Sequence, residues 1–423
     1  MSVIRCLTAR EVLDSRGRPT VAASCELEGG ASGTVSVPSG ASTGTAEAVE
    51  LRDGDPTRYG GLGCRRAVGH VIGPIADAVC GPAFETQAEL DAALVALDGT
   101  PNKSRLGANA VLAVSLAFAR ARAAGRGVPL YHHLADDLGA PARSLPRLTI
   151  NLFSGGKHAG GQVCIQDVLV VPTAPTIDGG LATAFAVYQA AAVLTRRKYA
   201  ARALTADEGG LAPPFPTTEA MLADAVEAIT AAGLRPGRDV ALAVDVAATH
   251  FHADGRYHLD GRVLDSPGMI GVLAGWCRRY PVVSLEDGLA EDDWDHWPRL
   301  RETLGPEVLL VGDDLLCTNP GRVRRAAAAG AATGLLLKVN QVGTLTEAAD
   351  AARAARAAGW RVTVSARSGE TEDDWLADLS VGWSGDQIKV GSVTHSERLA
   401  KYNRLLAIEA ESGLPVVAWP TGE

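Results

Sequence analysis

The stretch GLLLKVN, residues 334–340, begins with an apolar run of strand length, and a charged residue, Lys338, follows that run. Similar runs recur after residue 160: DVLVVP (167–172), VALAVDVA (240–247), PVVSLED (281–287), VLLVGDD (308–314), RVTVSAR (361–367) and QIKVGS (387–392). Near-continuous apolar runs are typical of strands buried on both faces, as in a parallel sheet. Helical stretches rich in Ala, Leu and Arg separate them, and about 280 residues of this alternation predict a (β/α) barrel.

The residues before the barrel have a different pattern. The runs TVAASCEL (20–27) and GTVSVPS (33–39) predict two strands joined by the turn EGGAS. The segment from about 61 to 135 is Ala-rich and helical, as in ANAVLAVSLAFARARAAG (108–125). We therefore predict an α/β protein with an N-terminal α+β cap over residues 1–138 and a (β/α)8 barrel over residues 139–423.

The composition limits the classes of partner. With 423 residues, 47% of them hydrophobic and 21% charged, the chain can build a large core. Its net charge of −9 weighs against nucleic acid or an anionic membrane as the main partner. No apolar run in the sequence approaches the roughly 20 residues that span a bilayer. The seven cysteines form no C-x-x-C pair, and the first residues lack the apolar core of a secretory signal, so we expect a cytoplasmic protein with reduced thiols.

The predicted strands deliver charged residues to one place, because the C-terminal ends of barrel strands meet at one mouth. The six residues are Asp245, Glu286, Asp313, Lys338, Arg367 and Lys389. Three converging carboxylates require a cation, and oxygen ligands favour Mg²⁺. Burial and neighbouring positive charge favour a neutral lysine, so we expect a lowered pKa for Lys338 and Lys389. Such a lysine beside Mg²⁺ suits removal of a proton next to a carboxylate.

Two glycine-containing loops add polar residues to this mouth. SGGKHAGGQVCIQD (154–167) supplies Lys157, His158, Gln166 and Asp167, and TADEGGLAPP (205–214) supplies Glu208. Either Glu208 or His158 could protonate a leaving hydroxyl group.

Motifs along nearly the whole chain resemble those of enolase, the phosphopyruvate hydratase family, and occur in the family's order. They include LDSRGRPTV (13–21), VPSGASTG (37–44), ADEGGLAP (206–213), VGDDLLCTN (311–319), RSGETED (367–373) and SERLAKYNRLL (396–406). The resemblance implies an N-terminal α+β cap on an atypical (β/α)8 barrel, a homodimer or higher homo-oligomer, and two Mg²⁺ sites. The second site would depend on substrate and on loop closure.

The resemblance also implies a role for each matching residue. Asp245, Glu286 and Asp313 would hold the first Mg²⁺, and Ser42 would help to hold the second. Lys338 would be the base and Glu208 the general acid, with Asp167 and His158 beside it. The residues implied in substrate binding are Lys389, Arg367, Ser368, Gln166, Lys157 and the position of Ala366.

Three positions depart from the family pattern. Ala366 stands where the family has histidine, and Asp167 where it has glutamate. Ser154 stands where the family has asparagine before a pair of glycines, and Lys157 follows that pair. The first two changes remove volume and Lys157 adds positive charge, which indicates a roomier pocket. We therefore favour a diverged enzyme of the carboxyphosphonoenolpyruvate synthase type, which would take a CMP-activated phosphonoformate.

Three alternatives remain open at this point. The chain could be an ordinary enolase that converts 2-phosphoglycerate into phosphoenolpyruvate and water. It could be a non-catalytic scaffold, because fold does not determine function. The match of GASTG (40–44) to G-x-S-x-G could mark a serine hydrolase, although that pattern arises easily in a chain with 47 glycines.

Overall fold

The computed structural model describes residues 1–41 and 43–420, and it opens with a small antiparallel sheet. The strand order is β3-β2-β1-β4, with β1 (Ser2–Leu13), β2 (Pro19–Leu27), β3 (Ser32–Ser36) and β4 (Ala83–Phe84). The predicted strands TVAASCEL and GTVSVPS correspond to β2 and β3. The turn between them includes Gly30 at a φ of 82°, a left-handed conformation that favours glycine.

The cap also contains the helices α1 (Arg65–His70), α2 (Ala76–Val79), α3 (Gln87–Asp98), α4 (Ala108–Arg126) and α5 (Leu130–Leu138), of which α4 packs on β2 and β3. The alanines of α4 let it approach β2 and β3 closely. At Gly33, an added Cβ would lie 2.5 Å from the backbone nitrogen of Ala121. The predicted helix at 108–125 is therefore the central element of the cap.

Eight strands close into a barrel in the order β11-β12-β13-β14-β15-β5-β6-β7. They are β5 (Arg147–Ser154), β6 (Asp167–Pro172), β7 (Val240–Asp245), β11 (Val282–Glu286), β12 (Leu309–Gly312), β13 (Gly334–Leu337), β14 (Arg361–Ser365) and β15 (Gln387–Gly391). All seven runs identified in the sequence are barrel strands. The architecture is an antiparallel α+β cap followed by a TIM-type barrel, as predicted.

The prediction of a wholly parallel sheet is wrong for one strand. β6 runs antiparallel to both of its neighbours, β5 and β7. The segment between β5 and β6 holds only a short 3-10 turn, Gly156–His158, and a parallel crossover needs a longer connection. Because β6 is reversed, its first residue, Asp167, lies at the same mouth as the C-terminal ends of the other strands.

Helices follow the barrel strands from β6 onward, two of them after β6, and form the outer layer: α6 (Ile177–Tyr199), α7 (Thr218–Ala231), α8 (Ser266–Arg279), α9 (Trp297–Leu304), α10 (Pro320–Ala329), α11 (Leu345–Ala357), α12 (Trp375–Gly382) and α13 (Ser396–Ser412). A three-stranded sheet interrupts this alternation after β7, with β8 (His252–Ala253), β9 (Arg256–Leu259) and β10 (Arg262–Leu264). Side-chain caps begin several helices. Thr344, for example, accepts a hydrogen bond from the backbone N–H of Glu347 at the start of α11.

Helix α6 is long and apolar enough, by length and composition, to cross a membrane. The sequence reading had identified no such segment. In the structure α6 packs against β5, β6, α7 and α13, with Val187 and Leu194 fully or almost fully buried. Its apolar character serves the barrel core.

The cap lies over the C-terminal mouth of the barrel. Ser39 and Gly369 exchange two backbone hydrogen bonds of 2.8 and 2.9 Å, and the Ser15 N–H donates to Glu370 O at 2.7 Å. Arg120 of α4 donates to Asp373 Oδ1 at 2.8 Å. These contacts place the loop that follows β3 above the strand ends.

The opposite end of the barrel is covered by the segment after α13. Trp419 packs against two groups of inward-facing residues, which include Leu169, Ala243 and Val311. Arg147 holds the segment by donating from Nε to Trp419 O at 2.8 Å. The barrel is therefore closed at the end away from the cap.

Candidate active site

Six charged side chains converge at the C-terminal mouth, and each is at most 9% exposed. Asp245 ends β7, Glu286 ends β11, Asp313 follows β12, Lys338 follows β13, Arg367 comes two residues after β14, and Lys389 lies within β15. These are the residues that the sequence identified at strand ends. Burial of so many charges is tolerable only because they are paired with one another.

Lys389 links two of the three predicted metal ligands. Its Nζ lies 2.7 Å from Asp245 Oδ2 and 2.9 and 2.8 Å from the two oxygens of Glu286. Gln166 also donates from Nε2 to Asp245 Oδ2 at 3.1 Å, while its Oε1 is buried and has no hydrogen-bond partner among the residues that the structure describes. The side-chain oxygen of Gln166, Oε1, is thus available to a cation or to a donor group of a ligand.

Lys338 is paired with the third predicted ligand. Its Nζ donates to Asp313 Oδ2 at 2.6 Å, and Gln341 donates from Nε2 to Asp313 Oδ1 at 2.9 Å. Thr318 positions the lysine backbone, because its hydroxyl oxygen accepts the Lys338 N–H at 2.9 Å. Neither Gln341 nor Thr318 was singled out from the sequence.

The expectation of lowered lysine pKa values is wrong for the arrangement seen here. Burial and the nearby Arg367 favour neutral Lys338, but the carboxylates of Asp313 and Glu286 outweigh them and raise its pKa. Burial likewise opposes the charge of Lys389, yet Asp245 and Glu286 raise its pKa well above the usual range. Asp313 lies 2.6 Å from Lys338 Nζ and Asp245 lies 2.7 Å from Lys389 Nζ, and strand order alone does not reveal these contacts.

Further acidic residues surround Asp313. Asp287 accepts the backbone N–H of Asp313 at 2.9 Å and of Asp314 at 2.7 Å. Burial, together with Asp313, raises the pKa of Asp314 to about 8. The motifs that contain Asp287 and Asp314 were noted in the sequence, but neither residue was assigned a role.

Possible ligand atoms of Asp287, Asp313 and Asp314 lie within 4.8 Å of one another, and so do those of His158, Asp167 and Glu208. In the described part of the chain, the predicted set Asp245, Glu286 and Asp313 is not among the groups that meet this criterion. Its members are held instead by the ammonium groups of Lys389 and Lys338. The donors are carboxylate oxygens at one buried mouth, which fits the preference of Mg²⁺, provided that the lysine contacts rearrange.

The second side of the mouth holds His158, Asp167 and Glu208. His158 Nδ1 lies 2.9 Å from Asp167 Oδ2, and its Nε2 lies 3.8 Å from Glu208 Oε1. Asn151 donates from Nδ2 to Glu208 Oε2 at 3.0 Å. Burial opposes the His158 charge, but Glu208 and Asp167 raise its pKa to about 9. Burial would raise the pKa of Glu208, but His158 and Arg398 lower it, so the proton of this pair lies on His158.

The third side is formed by Arg367 and Ser368. Arg367 pairs with Glu47 through Nη1–Oε2 at 3.0 Å and Nη2–Oε1 at 3.2 Å, and it donates to Asn340 Oδ1 at 2.9 Å. Burial opposes the guanidinium charge, yet Glu47 and Asp313 keep the pKa of Arg367 above its usual value. Glu47 and Asn340 also line a cavity of about 300 Å³ between the loop after β3 and α4. Glu47 was missed in the sequence because its partner lies 320 residues away.

The loop after β3 reaches into the mouth from the cap. Ser42, the predicted second-site ligand, lies outside the described residues, but its neighbours can be placed. The Ala41 N–H donates to Ser368 Oγ at 2.9 Å, and the Thr45 N–H donates to Glu291 Oε2 at 3.0 Å. At Gly40, an added Cβ would lie 2.0 Å from Arg367 Nη2, so a side chain at this position would displace the guanidinium group.

The hydrolase alternative needs a strand that turns directly into a helix at GASTG. After β3 ends at Ser36, no α-helix begins before Arg65 in the residues that the structure describes there. The required local context is therefore missing.

The remaining predicted residues differ in their placement. Ala366 is buried, and its N–H donates to Lys389 O at 2.8 Å, so it lies at the mouth with no functional side-chain atom. Lys157 is exposed on the loop after β5. Burial, together with the charge of Lys157, lowers the pKa of His250 to about 4. Lys157 thus acts on the rim of the mouth rather than inside it.

Comparison with protein families agrees with this geometry. Residues 4–134 match the model described as the enolase N-terminal domain, and residues 142–418 match the model described as the enolase C-terminal TIM barrel domain. Enolases typically use Mg²⁺, and the acidic groups at the mouth are consistent with that use. The two matches cover nearly all of the chain, and this protein belongs to the enolase family.

Proposed function

We propose that this chain is an Mg²⁺-dependent enzyme that removes the proton next to the carboxylate of a 2-phosphoglycerate-type substrate and eliminates the neighbouring hydroxyl group. The product would be of the phosphoenolpyruvate type. One observation carries the proposal: a buried lysine, Lys338, lies beside the acidic strand ends of an enolase-family barrel. A fixed amine at this mouth suits abstraction of a carbon-bound proton once its carboxylate partner no longer holds it in the charged form.

Asp245, Glu286 and Asp313 would hold the first Mg²⁺, and Ser42 would contribute to the second. When bound, Mg²⁺ supplies stabilisation of the negative charge that develops on the substrate carboxylate and enolate. Lys389 now neutralises Asp245 and Glu286, and would turn towards the substrate carboxylate.

Lys338 is the proposed base. Its burial and the nearby charges of Arg367 and Lys389 favour the neutral amine, and the carboxylates oppose this. When Asp313 no longer pairs with Lys338, the carboxylate that raises the pKa of Lys338 most is removed. The amine can then be neutral and accept the proton from carbon.

His158 and Glu208 form the proposed acid on the opposite side. In the present arrangement Glu208 and Asp167 raise the pKa of His158 to about 9, which favours a proton on His158. Delivery of that proton to the departing hydroxyl group gives water, so the proton taken by Lys338 and the one released here balance the elimination. Arg367 and Ser368 would bind the phosphate, with the substrate displacing Glu47 from the guanidinium.

A second candidate is supported by Ala366 and Asp167. Both side chains are smaller than those of the family pattern, and they border the phosphate and leaving-group sides of the mouth. An enzyme of the carboxyphosphonoenolpyruvate synthase type would need such space, because a carboxyphosphonate replaces the phosphate in its product. Its second substrate would be a CMP-activated phosphonoformate, and transfer of the carboxyphosphonate to the oxygen on C2 would release CMP. The phosphate that this oxygen carries in 2-phosphoglycerate would leave as inorganic phosphate by taking up the water lost in the elimination, so the products would be the enolpyruvate, CMP and phosphate.

The experiment is incubation with Mg²⁺ and 2-phosphoglycerate, with and without CMP-activated phosphonoformate, followed by ³¹P NMR. Rapid formation of phosphoenolpyruvate without the second substrate supports ordinary enolase and rejects the synthase. A phosphonate-containing enolpyruvate product, formed only when both substrates are present, supports the synthase. Absence of any product in either mixture, with Mg²⁺ bound, rejects the proposed chemistry.

We also propose a cytoplasmic location, a homodimer and a small anionic substrate rather than nucleic acid or a membrane. The net charge of −9 supports the last point because it disfavours a polyanionic partner, while Arg367 and Lys389 supply positive charge at the mouth. The family supports the dimer. Size-exclusion chromatography with light scattering would test it.

A further inference from the structure

Two of the positions that depart from the family pattern are in direct contact. Ser154 ends β5, Asp167 begins β6, and antiparallel pairing places them opposite one another. The Ser154 hydroxyl donates to Asp167 Oδ1 at 2.5 Å, and both side chains are completely buried. The Asp167 carboxylate is thus hydrogen-bonded to the serine of the neighbouring strand.

The other oxygen of Asp167 is also engaged. His158 Nδ1 lies 2.9 Å from Asp167 Oδ2, so each carboxylate oxygen has a partner inside the protein. Because Nδ1–H donates to the carboxylate, the Nε2 edge of the ring is the one that faces Glu208. Asp167 therefore orients His158, and its oxygens are not presented to the substrate.

The surroundings hold this arrangement in place. At Gly210, an added Cβ would lie 2.4 Å from Ser154 Oγ, which shows how closely the backbone packs on the hydroxyl. The loop that carries His158 is tied across its base by the Gly155 N–H, which donates to Gln166 O at 2.8 Å. Ser154 is thus closely packed on the side of Gly210, and its hydroxyl group donates to Asp167.

We propose that Ser154 is a positioning residue that fixes Asp167 so that His158 presents Nε2 to the leaving-group side of the active site. The catalytic consequence rests on the function proposed above, whereas the geometric part does not. Asp167, which the sequence suggested as a catalytic residue, becomes a positioning residue as well. The carboxylate–imidazole pair acts as in other acid–base sites in which a buried carboxylate selects the imidazole tautomer.

The test uses the full chain and compares Ser154→Ala, Asp167→Asn and the double variant. The first readout needs no substrate: the Nδ1–H proton of His158 in ¹H–¹⁵N NMR, identified by its loss in His158→Asn. In Ser154→Ala we expect this resonance to shift and to exchange faster with solvent. An unchanged resonance in Ser154→Ala overturns the proposal, whether or not the protein has activity.

The second readout is steady-state kinetics with the substrate identified above. Ser154→Ala should lower kcat by about 10-fold or more, towards the 10²-fold that misplacement by about 1 Å can cost, with KM little changed. The double variant should be no slower than Asp167→Asn, because both changes act through one contact. Additive losses, or a loss confined to KM, overturn the positioning role.

Ser380→Ala is the matched control. Ser380 lies in α12, is completely buried, and its Oγ has no hydrogen-bond partner among the described residues. It should leave both the His158 resonance and kcat unchanged. If the wild type lacks turnover with every substrate tested, the proposed function fails while the NMR comparison still decides the role of Ser154.

Discussion

Replacement of Lys389 by Met tests whether the buried carboxylates at the barrel mouth form a cation site. The change keeps much of the side-chain length and removes the positive charge that lies 2.7 Å from Asp245 and 2.8 Å from Glu286. Removal of one member of a buried ion pair costs about 3–5 kcal/mol. Asp245 keeps its hydrogen bond from Gln166, and Glu286 can take up a proton. The free energy of unfolding should therefore fall by about 4 kcal/mol.

The loss should depend on pH in a defined direction. Burial and the nearby Asp245 already raise the pKa of Glu286 well above its ordinary value, and loss of Lys389 would raise it further. A carboxyl group with a raised pKa in the folded state favours folding at low pH and loses that contribution as the pH rises through the raised pKa. The deficit of Lys389→Met should therefore be larger at pH 8 than at pH 5.5.

The loss should also depend on Mg²⁺. Without the ammonium group, Mg²⁺ no longer competes for Asp245 and Glu286, so it should bind the variant more tightly than the wild type. Saturation at about 100 times Kd stabilises a folded state by about 2.7 kcal/mol. In urea unfolding followed by tryptophan fluorescence, Mg²⁺ should therefore restore more stability to Lys389→Met than it adds to the wild type.

Lys401→Met is the matched control for this prediction. Lys401 Nζ lies 2.9 Å from Glu370 Oε2 in a pair that is equally buried but is not part of the predicted metal site. Its loss of stability should be the same in EDTA and in Mg²⁺. An equal loss for Lys389→Met in both conditions, or a loss below about 1 kcal/mol in EDTA, would refute the reasoning about the buried pairs.

Three further changes test other parts of the account. Lys338→Met should lower kcat by about 10²–10⁴-fold because it removes the proposed base, and a loss below tenfold would argue for another base. Ala366→His should raise turnover of 2-phosphoglycerate at least about tenfold by restoring an imidazole, while any reaction with CMP-activated phosphonoformate falls; unchanged rates would show that the vacated space has no role. Trp419→Ala should lower the free energy of unfolding by about 2–4 kcal/mol in urea titrations and leave kcat unchanged, since Trp419 lies at the end opposite the mouth; an altered kcat would contradict this.

The barrel could be predicted from its apolar runs, but its strand directions could not. Seven runs were recognised because each is nearly continuous and buried on both faces. β5 was missed because Arg147 and Asn151 interrupt its apolar pattern. The reversal of β6 was missed because a run that is apolar throughout looks the same in either direction. The direction follows from the connection, which in this case has no helix long enough for a crossover.

The candidate site could be predicted only in part, for a related reason. Residues at strand ends share a mouth once the barrel is recognised, which is why Asp313 and Lys338 were identified together. Glu47 lies in the loop after β3, and its pairing depends on the packing of the cap. Asp287 directly follows β11 with a φ of 43°, and its contacts depend on that local backbone geometry. The pKa of Lys338 was mispredicted because strand order alone does not show which charge lies nearest.

Hydrogen–deuterium exchange at C2 of 2-phosphoglycerate, followed by ¹H NMR in D₂O, tests the central claim most directly. The account predicts that the wild type with Mg²⁺ exchanges this proton, and that EDTA or Lys338→Met abolishes the exchange. A wild-type protein that binds Mg²⁺ and 2-phosphoglycerate but leaves the C2 proton in place would contradict it. So would a Lys338→Met variant that exchanges at the wild-type rate.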